Sequence, residues 1–172
     1  MTKYILIWIA LVGACASASP VRVSGLGDWR FIAIPSNSAA SQFAQGAEGI
    51  LNLNSPSMQN VSIAVYQFSQ AKPKSVQFAG DAKPWQELLF AHFKGKVRIV
   101  NERVLLVHGK WRYAVEYQLK DGTDTGRNGL MMAEAIGDEI KFLAFDNYAP
   151  VFLPNAPAVK KLFRDIELSA GS

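Results

Sequence analysis

Asp124-Thr125-Gly126 is the first grouping in this chain whose residue types suggest chemistry. An aspartic protease needs two such carboxylates, because the pair must share one proton. Here the triplet occurs once, between Lys120-Asp121-Gly122-Thr123 and Arg127-Asn128, and reads as a polar hairpin tip. An EF-hand starting at Asp121 would place Met132 where the bidentate Glu belongs. The two histidines, His92 and His108, have neither i,i+4 nor H-x-H spacing, so a metal would need carboxylates from afar. His92 falls on the apolar stripe of a helix and His108 at a strand end beside Gly109. Neither has the G-x-S-x-G elbow or the orienting acid of a Ser-His-Asp triad. Gly25-Leu26-Gly27 is a fragment of a dinucleotide fingerprint without its strand-turn-helix setting, and there is no P-loop. The Asn60-Val61-Ser62 sequon opens a strand. These readings predict a protein with no catalytic residue, no metal and no cofactor.

Two segments have the chemistry of contact surfaces. Lys94, Lys96, Arg98, Arg103, Lys110 and Arg112 are crowded together with Glu102 as the sole acid among them. Such a stretch suits an acidic partner, a polyanion or anionic lipid, or else forms a solvated sheet edge where charge deters pairing. The second segment, Tyr148-Ala149-Pro150-Val151-Phe152-Leu153-Pro154, reads as a Pro-rich loop carrying aromatics. If Phe152 and Leu153 are exposed they mark an interface; if buried they close one end of the core.

The chain has 172 residues, 49% hydrophobic and 19% charged, with 18 Lys or Arg against 14 Asp or Glu. That much apolar surface excludes a disordered chain, and 13 Gly with 8 Pro exclude a collagen-like fibre. A single cysteine, Cys15, excludes a disulfide framework and a thiolate zinc cage. Lys3 followed by the apolar run Tyr4 to Ala14 and the small residues Ala16-Ser17-Ala18 has the form of a secretory signal peptide. Eleven helical residues at about 1.5 Å each fall far short of the roughly 30 Å hydrocarbon core. Cleavage after Ala18 leaves a cysteine-free product. The alternative, Leu11-Val12-Gly13-Ala14-Cys15, resembles a bacterial lipobox and would lipidate Cys15, although Val12 stands where Leu is expected. The A-x-A exit favours the soluble product. Export takes the chain away from nucleic acid.

The expected organisation is a signal at 1–18, a flexible lead-in at 19–28, one domain at 29–168 and a tail at 169–172. Trp29 to Ile34, Ile50 to Leu53 and Val61 to Phe68 read as strands, punctuated by Pro35 and Asn54-Ser55-Pro56. Trp85, Leu88, Leu89 and His92 have helical spacing, which predicts a helix over 84–94, with Asp81 able to cap it and Gly95 to stop it. The period then changes to two. Val97 to Val100, Arg103 to Val107, Trp111 to Leu119, Asn128 to Ile136 and Glu139 to Phe145 form successive antiparallel strands. Tyr113, Val115, Tyr117 and Leu119 share one face; Arg112, Glu116 and Gln118 share a more polar one. Val159, Leu162, Phe163 and Ile166 stripe a last helix over 158–168. The prediction is an α+β fold: an antiparallel sheet of about six to eight strands covered by a middle helix and a C-terminal helix.

This order of elements over residues 29 to 168, with the ending Phe142-Leu143-Ala144-Phe145 and Leu162-Phe163-Arg164-Asp165-Ile166, resembles the PsbP/DcrB-like superfamily. The resemblance implies an α/β sandwich used for binding or assembly and transfers no catalytic residue. The expected function is that of an exported, non-catalytic envelope protein that binds another protein, as an assembly or chaperone-like factor or a toxin-neutralising partner. The alternative is a carrier of a small or lipidic ligand in a cavity lined by Trp85, Phe90 and Tyr113, with an enzyme third. The expected partners are an envelope or secreted protein, or anionic lipid, met by a monomer or weak oligomer.

Mass spectrometry of the native protein is expected to find Ser19 at the mature N-terminus. A diacylated Cys15 would replace the soluble product by an anchored one, and an intact Met1 would rule out both.

Overall fold

Alternating apolar residues need a sheet with something to bury each face against, and the computed structural model shows how this chain supplies it. Residues 22–34, 47–54, 62–91, 97–119 and 126–169 are described. The strands are β1 (Arg22–Ser24), β2 (Arg30–Ala33), β3 (Gly49–Asn54), β4 (Ser62–Ala71), β5 (Val97–Val107), β6 (Lys110–Leu119), β7 (Arg127–Ile136), β8 (Glu139–Tyr148) and β9 (Glu167–Ser169). Among the described residues there are two helices, α1 (Lys83–Leu89) and α2 (Ala149–Asp165). Seven strands form one antiparallel sheet in the order β2-β3-β4-β8-β7-β6-β5, and β1 pairs with β9 in a separate ribbon. The α+β expectation therefore stands.

The middle of the sheet is covered on both sides, which the predicted division into a covered and a polar face did not anticipate. Leu130, Met132, Leu143 and Phe145 pack with Phe152, Val159, Leu162 and Phe163 of α2. The intervening residues Met131, Ala133, Ile140, Phe142 and Ala144 pack with Trp85 and Leu89 of α1. Because successive strand side chains point to opposite faces, the two helices lie on opposite sides of β7 and β8. Those two strands are accordingly buried along most of their length, as strands sandwiched between helices are.

Several local expectations change. Arg22–Ser24, expected as a flexible lead-in, is held against β9 with Val23 opposite Leu168. The middle helix stops at Leu89 instead of running to Lys94, and Phe90 caps it while its ring packs edge-on to Tyr117 at 5.4 Å. Asp81 does accept the Lys83 amide, at 3.0 Å, and Pro84 sits in the first turn where its missing N–H costs nothing. The two predicted strands at 97–100 and 103–107 are one strand, β5, with a bulge between Ile99 and Asn101. His108 and Gly109 both take positive φ, 50° and 76°, the I′ geometry that joins β5 tightly to β6.

The Pro-rich loop is helical. Pro150, Pro154 and Pro157 all lie in α2, which ends at Asp165 instead of Leu168. Pro154 and Pro157 fall on its exposed side, so the carbonyls they leave without an amide donor face water. Asn155, fully buried, sends its side-chain amide to the Val151 carbonyl at 2.8 Å.

Arg112, expected on a polar outer face, is 5% exposed. Its guanidinium donates to the carbonyls of Phe163 at 2.7 Å and Ile166 at 2.8 Å, and its Nε to Glu134 at 2.6 Å. One side chain thus satisfies the open C-terminal carbonyls of α2 and pairs with the strand residue directly opposite it. Arg112→Met should lower stability by about 3–5 kcal/mol in denaturant titrations, since it strands a buried carboxylate and the helix carbonyls. Adding Glu134→Leu should recover a large part of that loss. A single variant indistinguishable from the parent would show that the clamp is not needed.

Candidate partner-binding surface

Cys15, His92, Lys94, Lys96 and Asp124 lie outside the described residues. The other residues of the basic segment take different fates. Arg112 is consumed at the C-terminus of α2, and the Lys110 ammonium donates to the Leu168 carbonyl of β9 at 2.8 Å. Arg98 and Arg103 remain exposed on β5. Five residues apart, they would project to opposite faces of a regular strand. The bulge after Ile99 absorbs one residue, so Arg98 stands opposite Gln118 and Arg103 opposite Ala114, both on the α2 side of the sheet. Glu102 goes to the other side, where it accepts the Gln86 amide at 2.7 Å and the Tyr113 hydroxyl at 2.8 Å. The lone acid of the segment is thus engaged by α1, and the two arginines share a face without it.

α2 packs across β7 and β8, and Lys160 reaches from it to Glu116 on β6 at 2.7 Å. Beyond that ion pair the sheet is open. Arg98, Asn101, Arg103 and Leu105 form an exposed strip along its α2 side, and Leu106 and Val100 are also exposed, at 60% and 51%. Sequence reasoning missed these apolar residues. The signal was the run Val104-Leu105-Leu106-Val107, which abandons alternation and puts large apolar groups on both faces of one strand.

Phe152 and Leu153 divide between the two outcomes their segment allowed. Phe152 is buried and stacks on Phe145 at 5.6 Å, closing the core, so it cannot be the exposed anchor of an interface. Leu153, one helix position on, is 65% exposed, and Tyr148 is 42% exposed with the Arg127 guanidinium 5.9 Å from its ring centre. Tyr148 pairs with Arg127, Arg127 with Leu119 and Leu119 with Val97 in one row across the sheet. The start of α2 and the Arg98 end of β5 therefore lie at the same end of the sheet, three strand spacings or about 14 Å apart.

His108 occupies the β5–β6 turn, with Nε2 3.6 Å from a Glu167 oxygen, both side chains well exposed. Among the described residues no group of three or more His, Cys, Asp or Glu side chains could hold a metal ion. Of the aromatic residues expected to line a cavity, Phe90 packs on Tyr117, and Trp85 and Tyr113 stack on one another. Trp85 lies between Phe78, at 4.9 Å, and Tyr113, at 6.0 Å.

Burial pushes the Tyr113 hydroxyl well above the ordinary tyrosine range, helped by its bond to Glu102; burial does the same for Tyr117. The stability these two groups contribute is intact below about pH 10, where unfolded tyrosine begins to ionise. It falls as pH rises further, because only the unfolded chain releases those protons. Tyrosinate absorbance should therefore show two groups that ionise only with unfolding. Normal titration of all tyrosines in the folded protein would contradict this.

No protein-family model and no curated protein matches the chain. Solved structures do. Cyanobacterial PsbP (CyanoP) from Synechocystis sp. PCC 6803 aligns at a TM-score of 0.53 and 10% identity, over 91% of this chain and 98% of that one. LpqN, involved in cell envelope biogenesis of Mycobacterium tuberculosis, aligns at 0.54 and 10% identity, over 87% of this chain and 84% of that one. The resemblance read from the order of elements holds at the level of the fold, which is similar to that of CyanoP and LpqN.

Proposed function

We propose that this chain is an exported envelope protein that acts without catalysis by binding another protein, as an assembly or chaperone-like factor or a neutralising partner. The observation that carries this reading is the contrast between the apolar clusters packed on both faces of β7 and β8 and the exposed groups of β5 and α2. Those clusters are built of aromatic and aliphatic side chains, whereas exposed apolar and cationic groups gather on β5 and at the start of α2. A ligand carrier needs room between sheet and helix, and the stacking of Trp85 on Tyr113 at 6.0 Å, where that room was expected, favours the protein-binding reading. The N-terminal charge, apolar run and A-x-A exit support export, and the envelope setting of LpqN, which shares the fold, agrees with it. No helix among the described residues is long and apolar enough to cross a membrane.

The contact surface in this reading is Tyr148 and Leu153 together with Arg98 and Arg103. The apolar pair, once dehydrated, would hold the complex, and the arginines would steer its formation. Site-specific photocrosslinking in native envelopes tests it, with the crosslinker at Leu153, at Arg103, and at Ile32 on the far edge of the sheet as control. Discrete protein adducts at the first two positions and none at the third are expected. Reversing Arg98 and Arg103 to Glu should slow adduct formation and flatten its salt dependence, while His108→Ala should change neither. Adducts that are equal at all three positions, or that contain only lipid, would overturn the proposal, as would a turnover lost in a folded His108→Ala variant.

A further inference from the structure

The sheet has two edges of unequal character. β2, at one end, is four residues long. β5, at the other, is eleven residues long and pairs only with β6 among the described residues. Past its bulge, Asn101–Val107 runs in unbroken register with β6. Soluble proteins guard such edges with proline, lysine, short strands or bulges. The bulge guards only the Ile99 end, and Asn101–Val107 contains neither Pro nor Lys. In an antiparallel pair every second residue turns its N–H and C=O away from its neighbour, so this segment offers a row of backbone donors and acceptors on its open side. Leu105 and Leu106, 47% and 60% exposed, flank that row on opposite faces of the sheet.

From this we infer that β5 is the docking edge for an extended segment of the partner protein, which joins the sheet as a further antiparallel strand. This rests on the protein-binding reading above and names the chemistry of the partner. Charge complementarity selects the occupant. Arg98 and Arg103 project on one face, neither with an acidic partner among the described residues, while Glu102 is occupied on the other face by Gln86 and Tyr113. A second copy of β5 would bring arginine toward arginine, whereas an acidic strand would pair with both.

β6 serves as the ruler for that strand. Its residues facing Arg98 and Arg103 are Gln118 and Ala114, four apart, and those facing Leu105 and Val107 are Arg112 and Lys110. An added regular strand therefore carries apolar side chains opposite Val107 and Leu105, then an acid opposite Arg103, a polar residue opposite Asn101 and an acid opposite Arg98. These are successive alternate positions, all on the α2 side. On the other side it needs an apolar residue to cover Leu106.

A synthetic peptide, Val-Val-Val-Thr-Glu-Thr-Thr-Thr-Glu with solubilising ends, tests this against the mature protein. It is expected to bind saturably, with amide shifts and exchange protection concentrated in Asn101–Val107. Methylating alternate peptide nitrogens, which removes donors without changing charge, should abolish binding. The folded R98E/R103E variant should lose at least about tenfold in affinity and regain it for the peptide bearing Lys in place of Glu. No binding, equal binding of the methylated peptide, or shifts elsewhere would overturn the inference, as would a protein that dimerises through β5. Phosphatidylglycerol vesicles that displace the peptide and bind with the same arginine dependence would assign the edge to lipid and also overturn it. A persistent protein adduct at Leu153 alongside a peptide that fails to bind removes strand addition and leaves the protein-binding reading standing. Peptide binding without any envelope adduct removes that reading instead.

Discussion

The Arg112 guanidinium is the point at which the sheet, the last helix and the chain end meet. It sits on β6, pairs with Glu134 on β7, and takes the carbonyls that α2 leaves open at Phe163 and Ile166. Immediately beyond, Glu167–Ser169 pairs with Arg22–Ser24, and Gly25 passes so close to the Asp165 carbonyl that a β-carbon there would collide with it. A second buried charge lies in the next strand. Glu134 stands opposite Lys141 of β8, and Lys141 stands opposite Ser69 of β4 and pairs with Glu139 at 2.6 Å. Dehydrating such charges costs several kcal/mol each and cancels much of their attraction. What the arrangement secures is position, because the Arg112–Glu134 pair needs β6 and β7 in this register and the Phe163 and Ile166 carbonyls need this placement of α2.

That placement determines which part of the sheet stays open. With α2 committed to β7 and β8, and Lys160 reaching only as far as Glu116, β5 keeps its α2 side exposed. On the opposite side the bonds from Gln86 and Tyr113 to Glu102 bind α1 to β5 and occupy its only carboxylate. The two clamps act in opposite directions. One takes two cations, Lys110 and Arg112, out of the basic segment, and the other takes out its acid. What remains accessible on β5 is a pair of arginines on one face with large apolar neighbours. Between the two faces lies a strand edge with no neighbour among the described residues.

Much of the fold was legible from period alone. The strands at Trp111–Leu119 and Asn128–Ile136 and the stripe Val159, Leu162, Phe163, Ile166 depend on residues close in sequence and appear as read. The site was less legible. Arg98 and Arg103 were recognised as basic, but their common face depends on a bulge that no residue type announces. Leu153 was singled out with Phe152, although only the helical phase of α2 separates the exposed side chain from the buried one. Arg112 was assigned to the solvent because alternation says which residues share a face and is silent on what covers it.

The sequence by itself determined most strands of the large sheet and the apolar stripe of α2, because each is a property of neighbouring residues. Tertiary structure decided that Pro150–Pro157 is helical, since docking Phe152, Ala156 and Val159 on the sheet compensates for the amides that Pro154 and Pro157 lack on the watered side. It also decided that both faces of β7 and β8 are covered and that β5 is left, among the described residues, as the long edge. Those outcomes depend on which strands lie beside one another and where α2 ends, and they are set by contacts such as Arg112 with Ile166, fifty-four residues apart. Such contacts carry no local pattern. Their partners are selected by the geometry of the assembled chain.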